Sequence, residues 1–151
     1  MIRRANRDDA PAIGRIHVRA RDEMTYLPRI ADEDRPRLGG WLVDRHEVWV
    51  AEEDGAVAGY MGLRDDELSH LYVDPGAQNR GLGAALLAHA KRLRPERLEL
   101  WVFQKNEGAR RFYERHGFRL VRLTDGADNM EREPDALYEW PPLSPGRAAA
   151  P

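Results

Sequence analysis

The stretch "HLYVDPGAQNRGLGAALLAHAKRL", His70–Leu93, constrains the fold more than any other. It opens with strand-forming residues and breaks at Asp74-Pro75-Gly76. It then runs through Gln78-Asn79-Arg80-Gly81-Leu82-Gly83 into an Ala/Leu-rich segment with helical spacing. Glycine inside a first helical turn costs roughly 0.5–1 kcal/mol relative to alanine. Two glycines, two residues apart, where a helix should begin therefore need a reason. A strand, a tight loop and a helix N-terminus make a natural anion site. The first-turn N–H groups have no helical partner, and the dipole favours negative charge. A missing Cβ lets a phosphate approach the backbone.

Two familiar phosphate loops fit badly. A P-loop requires G-x-x-x-x-G-K-[ST], and no lysine follows here. A dinucleotide fingerprint requires a small residue three places after the second glycine, where this chain has Leu86.

The remaining chain alternates strands and helices. "MIRRA" reads as a strand. Asp8 or Asp9 can cap a helix with Pro11 in its first turn, and Ile13, Ile16 and Ala20 fall on one face. "RDEMTYLPRI" reads as a loop, and a short helix is expected around Arg35–Val43. "EVWVAEE" and "GAVAGYMGLR" flank Asp54-Gly55, a hairpin signal, and "ELSHLYV" is a further strand. The helix Leu82–Leu93 carries its apolar residues at Leu82, Leu86, Leu87, Ala90 and Leu93. A strand "RLELWVF" and a helix "GARRFYERHG" follow, the latter ending at Gly117. Strands "FRLVRLT" and "ALYEW" bracket a polar loop, "DGADNMEREPD". One domain, residues 1–140, is expected, with a disordered tail over 141–151.

The chain has 151 residues, a formal net charge of -2 and no cysteine. Disulfides and thiolate chemistry are thereby excluded. The balanced charge gives no reason to expect nucleic acid as a partner. No run approaches the roughly 18 apolar residues of a membrane span, so a cytoplasmic protein without membrane association is expected.

"LYVDPGAQNRGLGAALL" resembles the acetyl-CoA-binding segment of the GNAT N-acetyltransferase superfamily, whose signature is Q/R-x-x-G-x-G/A. Gln78, Gly81 and Gly83 fill it. "NEGARRFYERHGF" resembles the family's second CoA-contacting segment, with Asn106 and Tyr113 in place. The resemblance extends from the first strand to about Trp140. It implies an α/β fold: a mixed, mostly antiparallel sheet with one splayed parallel strand pair and flanking helices. It implies direct transfer of an acetyl group from acetyl-CoA, the cosubstrate, to an amine acceptor in a ternary complex. No metal is implied, and dimers are common in the family.

Carried onto these residues, the resemblance gives Glu67–Val73 as the strand beside the pantetheine arm. The Leu71 N–H would polarise the thioester carbonyl, and the backbone of Tyr72 and Val73 would meet the pantetheine. The segment Gln78, Asn79, Arg80, Gly81, Leu82, Gly83 and Ala84 would hold the pyrophosphate through backbone N–H groups. Tyr113 would protonate the leaving thiolate. Asn106, Arg110 and Tyr113 lie four and three apart, on one helical face. The competing reading of Tyr113 is an ordinary core aromatic beside Phe112, and Asn106 can serve at the same time as the helix N-cap.

The base is less determined. Strand alternation puts Glu67, Ser69, Leu71 and Val73 on one side, and His70 on the other. On that reading Glu67 flanks the thioester and can take the acceptor's proton. The competing readings are a plain strand start and a relay through water. His70 reads as a partly exposed structural residue. The acceptor side would be lined by "RDEMTYLP" and "DGADNMEREPD", acidic through Asp22, Glu23, Asp125, Asp128, Glu131, Glu133 and Asp135, which suits a cationic amine. Both segments could also be solvated turns. A non-catalytic acyl-CoA-binding module and a nucleotide-binding domain are the rival classes.

Overall fold

The computed structural model describes residues 1–142 and resolves into two compact units, Met1–Leu93 and a second beginning at Arg94. The tail expected over 141–151 lies, from residue 143 on, outside the described residues.

In the first unit, strands β1 (Ile2–Arg4), β2 (Glu47–Glu53), β3 (Ala56–Arg64) and β4 (Glu67–Val73) pair in that order, each antiparallel to the next. The Asp54-Gly55 turn closes β2 onto β3 with both residues at positive φ, 53° and 79°. That is a type I′ geometry, whose twist matches the flanking strands. Helices α1 (Ala10–Asp22) and α2 (Arg35–Arg45) each carry a proline in the first turn.

Both helices cover one sheet face. Ile13 and Ile16 of α1 and Leu42 of α2 close over Val48, Val50 and Tyr60. Burying each of those aliphatic side chains contributes about 1.5–3 kcal/mol. The two helices approach at Gly39, where a Cβ would stand 1.8 Å from the Ala10 carbonyl oxygen. Only glycine permits that approach. The opposite face carries Trp49, Gly59 and Met61, and α3 (Leu82–Leu93) packs there. The Leu86 Cδ1 lies 3.3 Å from where a Gly59 Cβ would be, and the Trp49 and His89 rings are 4.5 Å apart.

Asp9 stands at the N-cap position of α1, one of the two residues the sequence offers for it. A 3-10 turn, Arg7–Asp9, precedes α1, and it is Asn6 that caps it, accepting from the Asp8 N–H at 2.9 Å. Asp9 makes no cap bond to α1. Its carboxylate instead accepts the Asn6 N–H at 2.8 Å and a two-pronged contact from Arg3.

In the second unit, β7 (Asp135–Trp140) lies between β5 (Leu98–Phe103) and β6 (Arg119–Leu123), antiparallel to both. Helix α4 (Glu107–Arg115) buries Tyr113 and ends as the sequence predicts, with Gly117 at φ +90°. The Phe118 N–H reaches the Tyr113 carbonyl at 3.0 Å and the Gly117 N–H reaches that of Glu114 at 3.2 Å. This is a Schellman closure, with the Tyr113 and Phe118 rings 5.6 Å apart as its hydrophobic contact.

Candidate active site

Strand β4 leaves the sheet at Val73. Asp74 folds the next residues into a 3-10 turn, Pro75–Ala77, by accepting the Gly76 N–H at 2.9 Å. Arg19 of α1 fixes the same carboxylate from 2.9 Å. The chain then passes through two left-handed residues, Asn79 at φ +66° and Gly81 at φ +79°. A Cβ added at Gly81 would meet nothing within 4 Å. The glycine is therefore required by the backbone turn, and the space beside it is open.

The first α-helical bond of α3 is Ala85 N–H to Gly81 O, at 3.0 Å. The N–H groups of Leu82, Gly83 and Ala84 precede that bond and have no partner inside the helix. Positive dipole, successive donors and open space at one turn fit an anionic group such as a pyrophosphate. Gln78 leans back, its Nε2 3.5 Å from the Val73 carbonyl, and Arg80 is ion-paired with Glu53. Gln78 and Arg80 thus shape the turn with their side chains, and the backbone supplies the donors.

The ladder of β3 and β4 corrects the expected side of Glu67. Gly62 pairs with His70, yet the next residue, Leu63, pairs with Leu68, and Arg64 with Glu67. One extra β4 residue, Ser69, is accommodated there as a bulge, and a bulge reverses alternation beyond it. Glu67 therefore shares a face with His70 and Tyr72, the face covered by α1 and α2. Leu71 and Val73, opposite Met61 and Gly59, share the other. Strict alternation cannot foresee this, because a bulge is defined by the partner strand. Ser69 Oγ donates to Glu67 Oε2 at 3.0 Å, which orients the carboxylate.

On the Glu67 face lies a cluster that sequence reasoning missed. The rings of His17 and His70 are 5.2 Å apart, those of His46 and His70 5.1 Å, and those of His17 and Tyr72 5.2 Å. Tyr60 Oη sits 2.6 Å from His17 Nδ1. His70 is partly exposed, as expected, and its ring is packed among these others. Burial pushes its pKa down to about 3 and that of His17 to about 4, so both are neutral near pH 7. Three histidines far apart in sequence give no local signal of such a cluster.

In the second unit, Asn106 caps α4, its Oδ1 accepting the Ala109 N–H at 3.2 Å. Arg110 Nε donates to Tyr138 Oη at 3.1 Å, and Tyr138 donates to Glu114 at 2.6 Å. Tyr113 is buried, with its ring against Phe112 and Phe118.

The acidic loop before β7 departs from expectation. Glu133 and Asp135 are buried rather than rim-exposed. Asn129 Nδ2 donates to the Glu133 carbonyl at 2.7 Å and to Asp135 Oδ2 at 3.1 Å. Thr124 donates to Asp135, and Lys105 Nζ stands 3.5 Å from Glu133. These two acids knit the loop, and the expected acidic field loses them. Asp22, in the other segment, is held by Arg35 at 2.9 Å and 3.2 Å.

No helix among the described residues is long and apolar enough to cross a membrane. Among those residues, no group of His, Asp or Glu is placed to hold a metal ion.

The comparisons agree with this fold. A sequence profile of the Acetyltransferase (GNAT) domain matches residues 44–120. The peptidyl-lysine N-acetyltransferase YiaC of Escherichia coli is 31% identical, over 93% of this chain and 97% of its own. Apo YjaB of Escherichia coli superposes with a TM-score of 0.74 at 26% identity, covering 93% of this chain and 96% of that one. The yncA structure of Salmonella typhimurium, solved with its cofactor acetyl-CoA, gives a TM-score of 0.71 at 23% identity, over 92% and 91% of the two chains.

Proposed function

From the premise that the chain belongs to the GNAT N-acetyltransferase family, we propose that it moves the acetyl group of acetyl-CoA directly to a primary amine, with lysyl side chains the first acceptor class. The observation that carries this reading is the turn from Asn79 to Ala84: two left-handed residues, open space at Gly81 and the start of α3. The peptidyl-lysine relative, matched over nearly its whole length, supports the acceptor class.

Acetyl-CoA supplies the activated acyl group. The backbone N–H groups of Asn79–Ala84 hold its pyrophosphate, and the backbone of Tyr72 and Val73 holds its pantetheine. The Leu71 N–H donates to the thioester carbonyl, where negative charge builds as the amine attacks. Asn106 and Arg110 belong to the second CoA-contacting segment. A lysyl amine has a pKa of about 10.4, so it arrives as an ammonium and must lose a proton first. Glu67, which the Ser69 bulge turns away from the Leu71 side to the face covered by α1 and α2, takes that proton from an acceptor entering beside the loop that follows α1. Tyr113 gives one to the leaving thiolate.

The test is release of free CoA thiol from acetyl-CoA with a panel of small amines, amino sugars and lysine peptides. Amine-dependent release supports a transferase. Tight acetyl-CoA binding with no release by any amine would assign the chain to the non-catalytic class.

A further inference from the structure

We propose that His46 is a positioning residue for the reaction, relaying to solvent the proton that Glu67 removes from the acceptor. This rests on the reading of Glu67 as the base. His46 follows α2 and stands over Gly62. A Cβ on Gly62 would meet the His46 Cβ at 3.4 Å and Cγ at 3.5 Å. Because of the bulge, Gly62, His70, Arg64 and Glu67 share that face of the β3–β4 ladder. The His46 ring is therefore bordered by the His70 ring at 5.1 Å and, one step along the ladder, by the Arg64–Glu67 pair.

The tautomer is set by the chain itself. His46 Nδ1 lies 3.1 Å from the Leu42 carbonyl, which can only accept, so Nδ1 carries the hydrogen. Nε2 is left with its lone pair. The imidazole also packs beside Trp41, exposed at the surface, with the rings 5.9 Å apart. The site thus has an inner side facing His70, with the buried His17 behind it, and an outer side toward the exposed Trp41.

The proton balance is simple. The Glu67 carboxylate takes a proton from the ammonium, leaving a neutral amine and a carboxylic acid. The acid passes that proton to His46 Nε2, directly or through one water, and the carboxylate is restored. The imidazolium then loses it to solvent. Electrostatics direct the path outward. Burial lowers the His46 pKa, Arg64 and Arg45 lower it further, and the Glu67 carboxylate and the Leu42 carbonyl raise it. His46 is therefore a neutral acceptor near pH 7. His17 and His70, with Arg21 acting on both, resist protonation far more strongly, so a proton on His46 does not move inward.

The first test needs no acceptor. The His46 imidazole is titrated by NMR in the full chain, wild type and Glu67→Gln. Loss of the carboxylate should lower the His46 midpoint, because a neighbouring negative charge favours imidazolium. An unchanged midpoint overturns the proposal, whatever the protein acetylates. The second test is turnover with acetyl-CoA and a lysine peptide. His46→Gln should lower kcat on the order of tenfold, short of the roughly 10²–10⁴-fold of a direct base. The loss should be largest below the amine's pKa and should be relieved in His46→Ala by added imidazole. A Glu67→Gln variant with full kcat refutes the base reading itself. A strong Glu67→Gln effect with wild-type kcat and pH profile in His46→Gln refutes the relay alone.

Discussion

Arg3 grips Asp9 with both terminal nitrogens, Nη1 at 2.8 Å and Nη2 at 2.9 Å, while its Nε reaches Glu52 at 2.6 Å. The contact fastens the entry of α1 to the β1–β2 edge. Arg3, with help from the Asn6 N–H, holds the Asp9 carboxyl below the usual carboxylate range, against the opposing effect of burial. A folded-state pKa below the unfolded value of about 3.9 means stability that is present above about pH 4 and lost as pH falls through the folded value. Asp9→Asn should therefore lower the urea midpoint at pH 7, and the gap from wild type should close as pH falls below 4. A gap independent of pH would mean that the amide disturbs packing instead.

Adjacent glycines in α2 should respond with opposite sign. A methyl at Gly39 would overlap the Ala10 backbone, while one at Gly40 would meet nothing within 4 Å. Gly39→Ala should cost about 3 kcal/mol or more, as overpacking against backbone does. Gly40→Ala should stabilise by about 0.5–1 kcal/mol through helix propensity. Urea unfolding of the two variants measures both.

Gly83→Val places a branched side chain in the first turn of α3, among the proposed pyrophosphate donors. Acetyl-CoA affinity should fall by about tenfold or more in calorimetry, with the circular dichroism spectrum unchanged. Unaltered affinity in the folded variant would remove the turn from the cofactor site.

Tyr113 has a structural duty, the Schellman contact with Phe118, and a proposed chemical one. Tyr113→Phe keeps the ring, so stability should shift by no more than about 1 kcal/mol. A thiol has a pKa of about 8.5 and a tyrosine about 10, so proton donation is not strongly downhill and its benefit should be moderate. The expected kcat loss is about 10²-fold, the low end for acid catalysis, with acetyl-CoA affinity nearly intact and the loss narrowing above about pH 8. Full kcat at pH 7 with chemistry rate-limiting would leave Tyr113 a core aromatic.

Much of this was legible because it is local. The Asp54-Gly55 turn, the Gly117 cap and the strand–turn–helix at 73–84 are each specified within a few residues by φ preferences and apolar period. The Asn6-to-Asp9 spacing of the preceding 3-10 turn is equally local, and Asp9 stands at the N-cap of α1, but that its carboxylate turns to Arg3 rather than to the helix depends on β1 and is not legible in the sequence. What escaped is non-local. The Ser69 bulge exists only relative to β3, so the side taken by Glu67 could not come from alternation. The clustering of His17, His46 and His70 requires α1, α2 and β4 to be assembled. The acids Glu133 and Asp135 looked like solvated turn residues because their partners, Lys105, Thr124 and Asn129, become neighbours only when the loop closes.

The most direct test of the central claim is product stoichiometry with acetyl-CoA and a lysine peptide. Mass spectrometry follows the acetylated peptide while a thiol reagent follows free CoA. The account predicts one acetylated amine for each thiol released, and loss of both together in Gly83→Val at limiting acetyl-CoA. Thiol release without acetylated product, or no product from any amine at saturating acetyl-CoA, would contradict it.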